Sequence, residues 1–264
     1  MTDHDLELRH GVACAVAREG GRLARSYFEG REQLEIEHKG MQDLVSIADR
    51  SVEELIRERL SAAFPDDALI GEEGGGVDTK GAPGTWVIDP IDGTMNFLRG
   101  IPYWSLAIAY VRGETTEIGI TYDPVRDELF AARRGHGAFR DGQPIRVSGA
   151  GDPRQALLGL TFSFKIEIGA YVRTLAALLE SGCDHRRLGS TALMMCHVAD
   201  GRLDGCISLL CHSWDVIGGL LLVREAGGTA SDYLEHASLL EPASVFGCTP
   251  GLRQLIEGSS GLRL

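Results

Sequence analysis

The stretch Trp86-Val87-Ile88-Asp89-Pro90-Ile91-Asp92-Gly93-Thr94-Met95-Asn96-Phe97 decides how this chain is read. Its apolar start, Thr85–Asp89, has the composition of a buried strand stopped by Pro90, and Gly93-Thr94 opens a helix. In a continuous strand, carboxylates three residues apart face opposite ways, so Pro90 must break the alternation if Asp89 and Asp92 are to converge. Converging carboxylates repel unless cations lie between them, and hard oxygen donors favour Mg2+ or a similar divalent ion. The N–H groups of Gly93 and Thr94 at the helix start then offer a place for a phosphate oxygen. Taken alone, the same residues could be a turn and a strand-end cap, so the surrounding chain has to decide.

Upstream the apolar spacing is helical. Leu6, Val12, Ala13, Val16 and Leu23 mark one helix; Val52, Leu55, Ile56 and Leu60, between Asp49 and Pro65, mark a second. A short strand, Ala68–Gly71, follows and ends in Glu72-Glu73. Downstream, Ser105–Val111, Glu117–Tyr122 and Glu128–Ala132 read as consecutive antiparallel strands, and Asp141-Gly142 as a hairpin turn. After about residue 150 strands and helices alternate: strand Ala156–Thr161, helix Ala170–Glu180, strand Cys183–Arg187, helix Ser190–Ala199, strand Leu203–Ser208, helix Trp214–Ala226. Short strands near Gly228–Ser231 and Ala243–Gly247 and a helix around Leu252–Glu257 complete the chain. The expected organisation is an α+β half, 1–149, carrying most of the candidate metal ligands, and an α/β half, 150–264.

A length of 264 residues suits one large domain or two subdomains, and 44% hydrophobic with 24% charged residues excludes a disordered chain. A net charge of −12 without a Lys/Arg-rich segment argues against general nucleic-acid binding, though not against phosphorylated substrates if metal ions supply positive charge. No apolar run reaches the roughly 18 residues of a membrane span, and Met1–His10 lacks signal-peptide character, so a cytoplasmic location is expected. The six cysteines form no C-x-x-C pair and read as reduced, mostly buried residues.

Two further motifs give the central stretch its context: Leu69-Ile70-Gly71-Glu72-Glu73-Gly74 before it, and Trp214-Asp215 followed by Glu225-Ala226-Gly227-Gly228 after it. The D-x-D-G-T of haloacid dehalogenase phosphatases, with its nucleophilic aspartate, differs in spacing and position. The order G-E-E, D-P-I-D-G-T-x-N-F, W-D and E-A-G-G resembles the inositol monophosphatase family over nearly the whole chain. That resemblance implies an αβαβα sandwich and a Mg2+-dependent, lithium-sensitive phosphomonoesterase, commonly dimeric, with two or three Mg2+ ions per site.

Carried onto this sequence, the resemblance makes Glu72, Asp89, the Ile91 carbonyl, Asp92 and Asp215 metal ligands, with Thr94 joining Glu72 to activate water. Such metals polarise phosphoryl oxygens and stabilise the leaving alkoxide, so no protein nucleophile is required. Lys39-Gly40-Met41-Gln42-Asp43-Leu44-Val45-Ser46-Ile47-Ala48-Asp49 is similar to a family stretch that would let Asp49 assist a further metal and Lys39 offset charge; Asp43 or Ser46 is expected to cap the following helix. Asp92, Gly93, Thr94, Gly189, Ser190, Ser208 and Asp215 are the expected substrate contacts, Ser190 reading equally as the N-cap of a helix, which leaves such contact open. At Ser208, inositol-hydrolysing members carry a glutamate, so inositol phosphate is placed in doubt. Histidinol phosphate is the alternative substrate, with Asp184 and Asp204 as candidate partners for its amine. His185, His197, His212 and Trp214 read as structural. An interaction protein of the transcription machinery, with Arg133-Arg134 and Arg186-Arg187 as first candidates for its surface, is the reading of another class.

Overall fold

The computed structural model describes residues 2–33, 36–40, 43–76 and 81–262. Helix α1 (Asp3–Glu29) and helix α2 (Ile47–Ala63) flank a hairpin of β1 (Ile36–Gly40) and β2 (Asp43–Ser46), which the helical spacing did not foretell. Both helices start with a capping box, Thr2 with Asp5 and Ser46 with Asp49. The cap of α2 is therefore Ser46, one of the two residues expected in that role; the other, Asp43, lies in β2. The side chains of Lys39 and Asp43 are outside the described ones.

Next come β3 (Ala68–Gly71), β4 (Gly75–Gly76), β5 (Thr85–Asp92), α3 (Thr94–Arg99), β6 (Ser105–Arg112), β7 (Thr115–Asp123), β8 (Glu128–Arg133), β9 (Ala138–Arg140) and β10 (Gln143–Pro144). Their eight strands form one sheet in the order β10-β9-β8-β7-β6-β5-β3-β4, with only β3 and β5 parallel. Asp141 and Gly142 both take positive φ, 50° and 76°, as the hairpin turn between β9 and β10 requires. The second half adds β11 (Leu157–Leu160), α4 (Ile168–Glu180), β12 (Asp184–Arg186), α5 (Thr191–Ala199), β13 (Gly205–Cys211), α6 (Ser213–Glu225), β14 (Thr229–Ala230), β15 (Ala243–Cys248) and α7 (Arg253–Ser260). A mixed five-stranded sheet, β12-β11-β13-β15-β14, results.

The pleat sorts side chains into layers. On β5, Trp86 and Ile88 join α1 and α2 in one apolar cluster, whereas Val87 turns to the other face and packs with α5 and α6. Those two helices also touch Cys206 and Val245 of the small sheet, whose far face holds Leu158, Leu160 and Phe246 against Leu178, Leu252 and Ile256. The sequence of layers is αβαβα. Where β7 meets α6, a Cβ added to Gly119 would lie 2.3 Å from the Gly218 carbonyl oxygen. All six cysteines are free thiols, five of them buried, and no helix among the described residues is long and apolar enough to cross a membrane.

Candidate metal centre and cavity

Pro90 does not stop β5. Pairing with β6 runs from Thr85↔Val111 to Asp89↔Ala107 and resumes at Asp92↔Ser105, so three steps on β5 oppose two on β6. This bulge is the break in alternation that brings Asp89 and Asp92 to one side. Asp89 is 1% exposed, and its Oδ1 accepts the Ile91 N–H at 3.0 Å. Asp92 Oδ2 accepts the Ser190 hydroxyl at 2.5 Å and the Ala192 N–H at 2.7 Å, at the positive end of α5. Asp215 comes from the first turn of α6, its Oδ2 accepting the His212 N–H at 2.9 Å. One oxygen from each of Asp89, Asp92 and Asp215 falls within 4.8 Å of the others.

Burial raises all three acids, and neighbouring charges add to it at Asp89 and Asp215. Asp89 is pushed well above the carboxylate range by burial and then by the charges of Glu72, Asp92 and Asp215. Burial lifts Asp92 to about 6 against the bonds from Ser190 and α5, and burial and the Asp92 charge lift Asp215 to about 7. Behind them Asp49, buried in α2, is raised to about 6 by the loss of water. The Thr94 hydroxyl lies 3.1 Å from the Ile91 carbonyl and 3.5 Å from Asp49 Oδ1, so its single proton goes to one of them.

Glu72, Gly93, Thr94, Gly189 and Asp215 line a cavity of about 800 Å³, with a recess of about 180 Å³ beside Asp215. Gly93 reaches its place with φ of 100°, a left-handed conformation that disfavours any side chain. Glu72 sits on the β3–β4 turn, which Glu53 of α2 holds by accepting the N–H groups of Glu73 and Gly74, each at 2.8 Å. Glu53 carried no motif in the sequence.

Ser190 and Ser208, two of the expected substrate contacts, are held by partners within the protein. Ser190 is fully buried, capping α5 and anchoring Asp92, so its hydroxyl serves the aspartate. Ser208 is also 0% exposed and does not line the cavity; its oxygen accepts from Thr161 at 2.7 Å and donates to the Leu210 carbonyl at 3.2 Å. Neither candidate amine partner reaches the cavity. Asp204 is tied to Ser148 and the Leu157 N–H, and exposed Asp184 pairs with Arg186 at 2.8 Å. His197 is buried against Tyr103, and the His212 ring stacks on Trp214 with centroids 4.5 Å apart.

The lining that carried no sequence signal is Phe162, Ser163, Phe164, Lys165, Ile168, Tyr171 and Val172, joined by Arg187 of the second basic pair. Their positions after β11, at the start of α4 and before α5 are the available clue, because loops past strand ends line sites in such folds. Of the two basic pairs, Arg133 is bound to Asp3, Arg134 to the Thr116 carbonyl and Arg186 to Asp184, while Arg187 packs over Phe162.

The sequence model described as the inositol monophosphatase family matches residues 5–258. A protein named Nus factor SuhB, from Haemophilus influenzae, is 37% identical over 236 residues, 89% of this chain and 88% of its own. Among solved structures, extragenic suppressor protein SuhB from Bartonella henselae superimposes with a TM-score of 0.89 at 30% identity, covering 96% of this chain and 98% of that one. The IMPase of Thermotoga maritima gives a TM-score of 0.85 at 26% identity, with 96% of each chain covered.

Proposed function

Because this chain belongs to the inositol monophosphatase family, we propose that it is a Mg2+-dependent phosphomonoesterase acting on a small phosphorylated metabolite. The convergence of Asp89, Asp92 and Asp215 beside a cavity of about 800 Å³ carries this reading. Three acids with oxygens within 4.8 Å, Asp89 and Asp92 buried and Asp215 half-buried, all have raised pKa values, and an oxygen-only donor set of that charge fits a hard divalent cation. Those three side chains, with Glu72 and the Ile91 carbonyl, would hold two or three Mg2+ ions. When bound, such ions polarise the phosphoryl oxygens, acidify water and stabilise the leaving alkoxide.

The chain's own residues do the positioning. Ser190 and the α5 N-terminus aim Asp92, His212 aims Asp215, and Glu53 holds the turn that presents Glu72. With its proton engaged by Ile91 or Asp49, Thr94 keeps oxygen lone pairs to accept a hydrogen bond from a water in the cavity. Glu72, on the same lining, is the carboxylate to receive that water's proton. Water is the nucleophile. Burial pushes the Cys206 thiol to about 12 and Cys211 well above its ordinary value, so no nearby thiolate competes.

The test is phosphate release by the purified chain, with Mg2+ and with chelator, from inositol 1-phosphate, histidinol phosphate, glycerol 2-phosphate and fructose 1,6-bisphosphate. Hydrolysis that vanishes with chelator is expected, and no release from any ester would overturn the reading. A second reading, docking on the transcription machinery, is favoured by the name Nus factor borne by a 37% identical relative. Sedimentation of the chain with purified RNA polymerase tests it, and independent sedimentation would refute it.

A further inference from the structure

One wall of the cavity is apolar and uncovered. Phe162 contacts Phe164 and Tyr171 edge-on, with centroids 5.0 Å apart in both pairs, and the Arg187 guanidinium lies 5.8 Å from the Phe162 centroid. Ile168 and Val172, one turn apart on α4, continue the surface. Phe164, Ile168 and Val172 are 52%, 64% and 53% exposed, and the other exposed large apolar residues among those described lie outside this cavity's lining. Single exposed apolar side chains are ordinary, but five gathered on the concave lining of a site are not.

The same cavity is lined by Glu72, Thr94 and Asp215. An ester whose phosphate lies at the carboxylates therefore has its alcohol in the remaining space, with this wall beside it. Its volume of about 800 Å³ is in the range of sites for drug-sized ligands, roughly 300–1,000 Å³. A bare polyol placed there would turn hydroxyls against carbon and lose bonds to water, whereas a ring or hydrocarbon would be removed from water at a gain.

The geometry points to a subsite for an apolar or aromatic group on the alcohol, formed by Phe162, Phe164, Ile168, Tyr171 and Val172, so that the preferred substrate is a phosphomonoester carrying such a group. This deepens the phosphatase reading and rests on it. The subsite sets affinity and leaves the bond-breaking step alone.

Ethyl phosphate and 2-phenylethyl phosphate share a primary alkoxide leaving group and differ by the ring. With Mg2+, the intact chain is expected to favour the phenylethyl ester by about tenfold in kcat/KM, through KM, the worth of a partly buried ring. Phe164→Ser and, separately, Ile168→Ser should bring that ratio close to one, with circular dichroism confirming that each variant folds. Hydrolysis of both esters at equal kcat/KM, or of inositol 1-phosphate but neither ethyl ester, would overturn the subsite and leave the phosphatase reading standing. Failure with all three compounds would remove both. A ratio unchanged in the variants, with a shift from dimer to monomer in sedimentation, would make the wall a contact between copies and end the proposal.

Discussion

Asp89 faces Glu72, Asp92 and Asp215 from a site that is 1% exposed, so its charge opposes folding whenever no cation is bound. A carboxylate whose folded-state pKa is raised destabilises the folded protein above its ordinary pKa. Asp89→Asn keeps the shape and an acceptor for the Ile91 N–H while removing one negative charge. The melting temperature of the metal-free protein should therefore rise. The increase that Mg2+ gives the parent protein through binding should shrink or vanish, and phosphate release should fall about a hundredfold or more, since even residues behind a metal ligand are worth 10–100-fold. Scanning calorimetry with and without Mg2+, beside the phosphate assay, checks this; parent-like Mg2+ stabilisation would remove Asp89 from the ligand set.

Among the elements, the tie between α2 and the β3–β4 turn matters most for the site. Glu53 accepts from Glu73, Gly74 and, at 2.7 Å, Arg57, so one buried carboxylate fixes the turn bearing Glu72 to the helix bearing Asp49. Glu53→Gln must point an amide N–H2 at one of those donors. A loss of about 1–3 kcal/mol in urea unfolding is expected, with more Mg2+ needed for half-maximal thermal protection. An unchanged Mg2+ requirement would show that Glu72 is placed by other means. Elsewhere, Gly119→Ala would put a methyl 2.3 Å from the Gly218 carbonyl, where α6 meets β7. Overpacking of that kind costs about 1–3 kcal/mol, and a urea midpoint equal to the parent's would mean that α6 can move away.

For the molecule as a whole, acid stability has an identifiable contributor. Arg202 can only donate, so its 3.3 Å contact makes His197 Nε2 an acceptor and places the proton on Nδ1, facing the Tyr103 hydroxyl. Burial and then the Arg202 charge lower this histidine from 6.5 to about 4. Between those values the unfolded chain binds a proton that the folded chain refuses, so the contribution is complete above about 6.5 and is lost as the pH falls towards 4. Comparing thermal unfolding of the parent and His197→Gln across pH 7 to 4 isolates this group, because the carboxylate cluster titrates in both. The variant should lose less stability on acidification, and parallel profiles would refute the assignment.

The bulk of the fold was legible because it is local: helical spacing in α1 and α2, alternation in β6 to β8, and an Asp-Gly turn whose residues both take positive φ. The acids were legible for a related reason, since D-P-I-D-G-T places two carboxylates and the break between them within one short stretch. Pro90 was read as a stop and is instead part of a bulge, a distinction that depends on the register with β6. The convergence of Asp215 with Asp89 and Asp92, the engagement of Ser190 with Asp92 and the burial of Ser208 were settled by packing α5 and α6 between two sheets. Residue types and spacing along the chain thus determined which groups can hold a cation. Only the tertiary structure decided which face a common cavity, because that is a matter of side chains far apart in sequence competing for the same interior space.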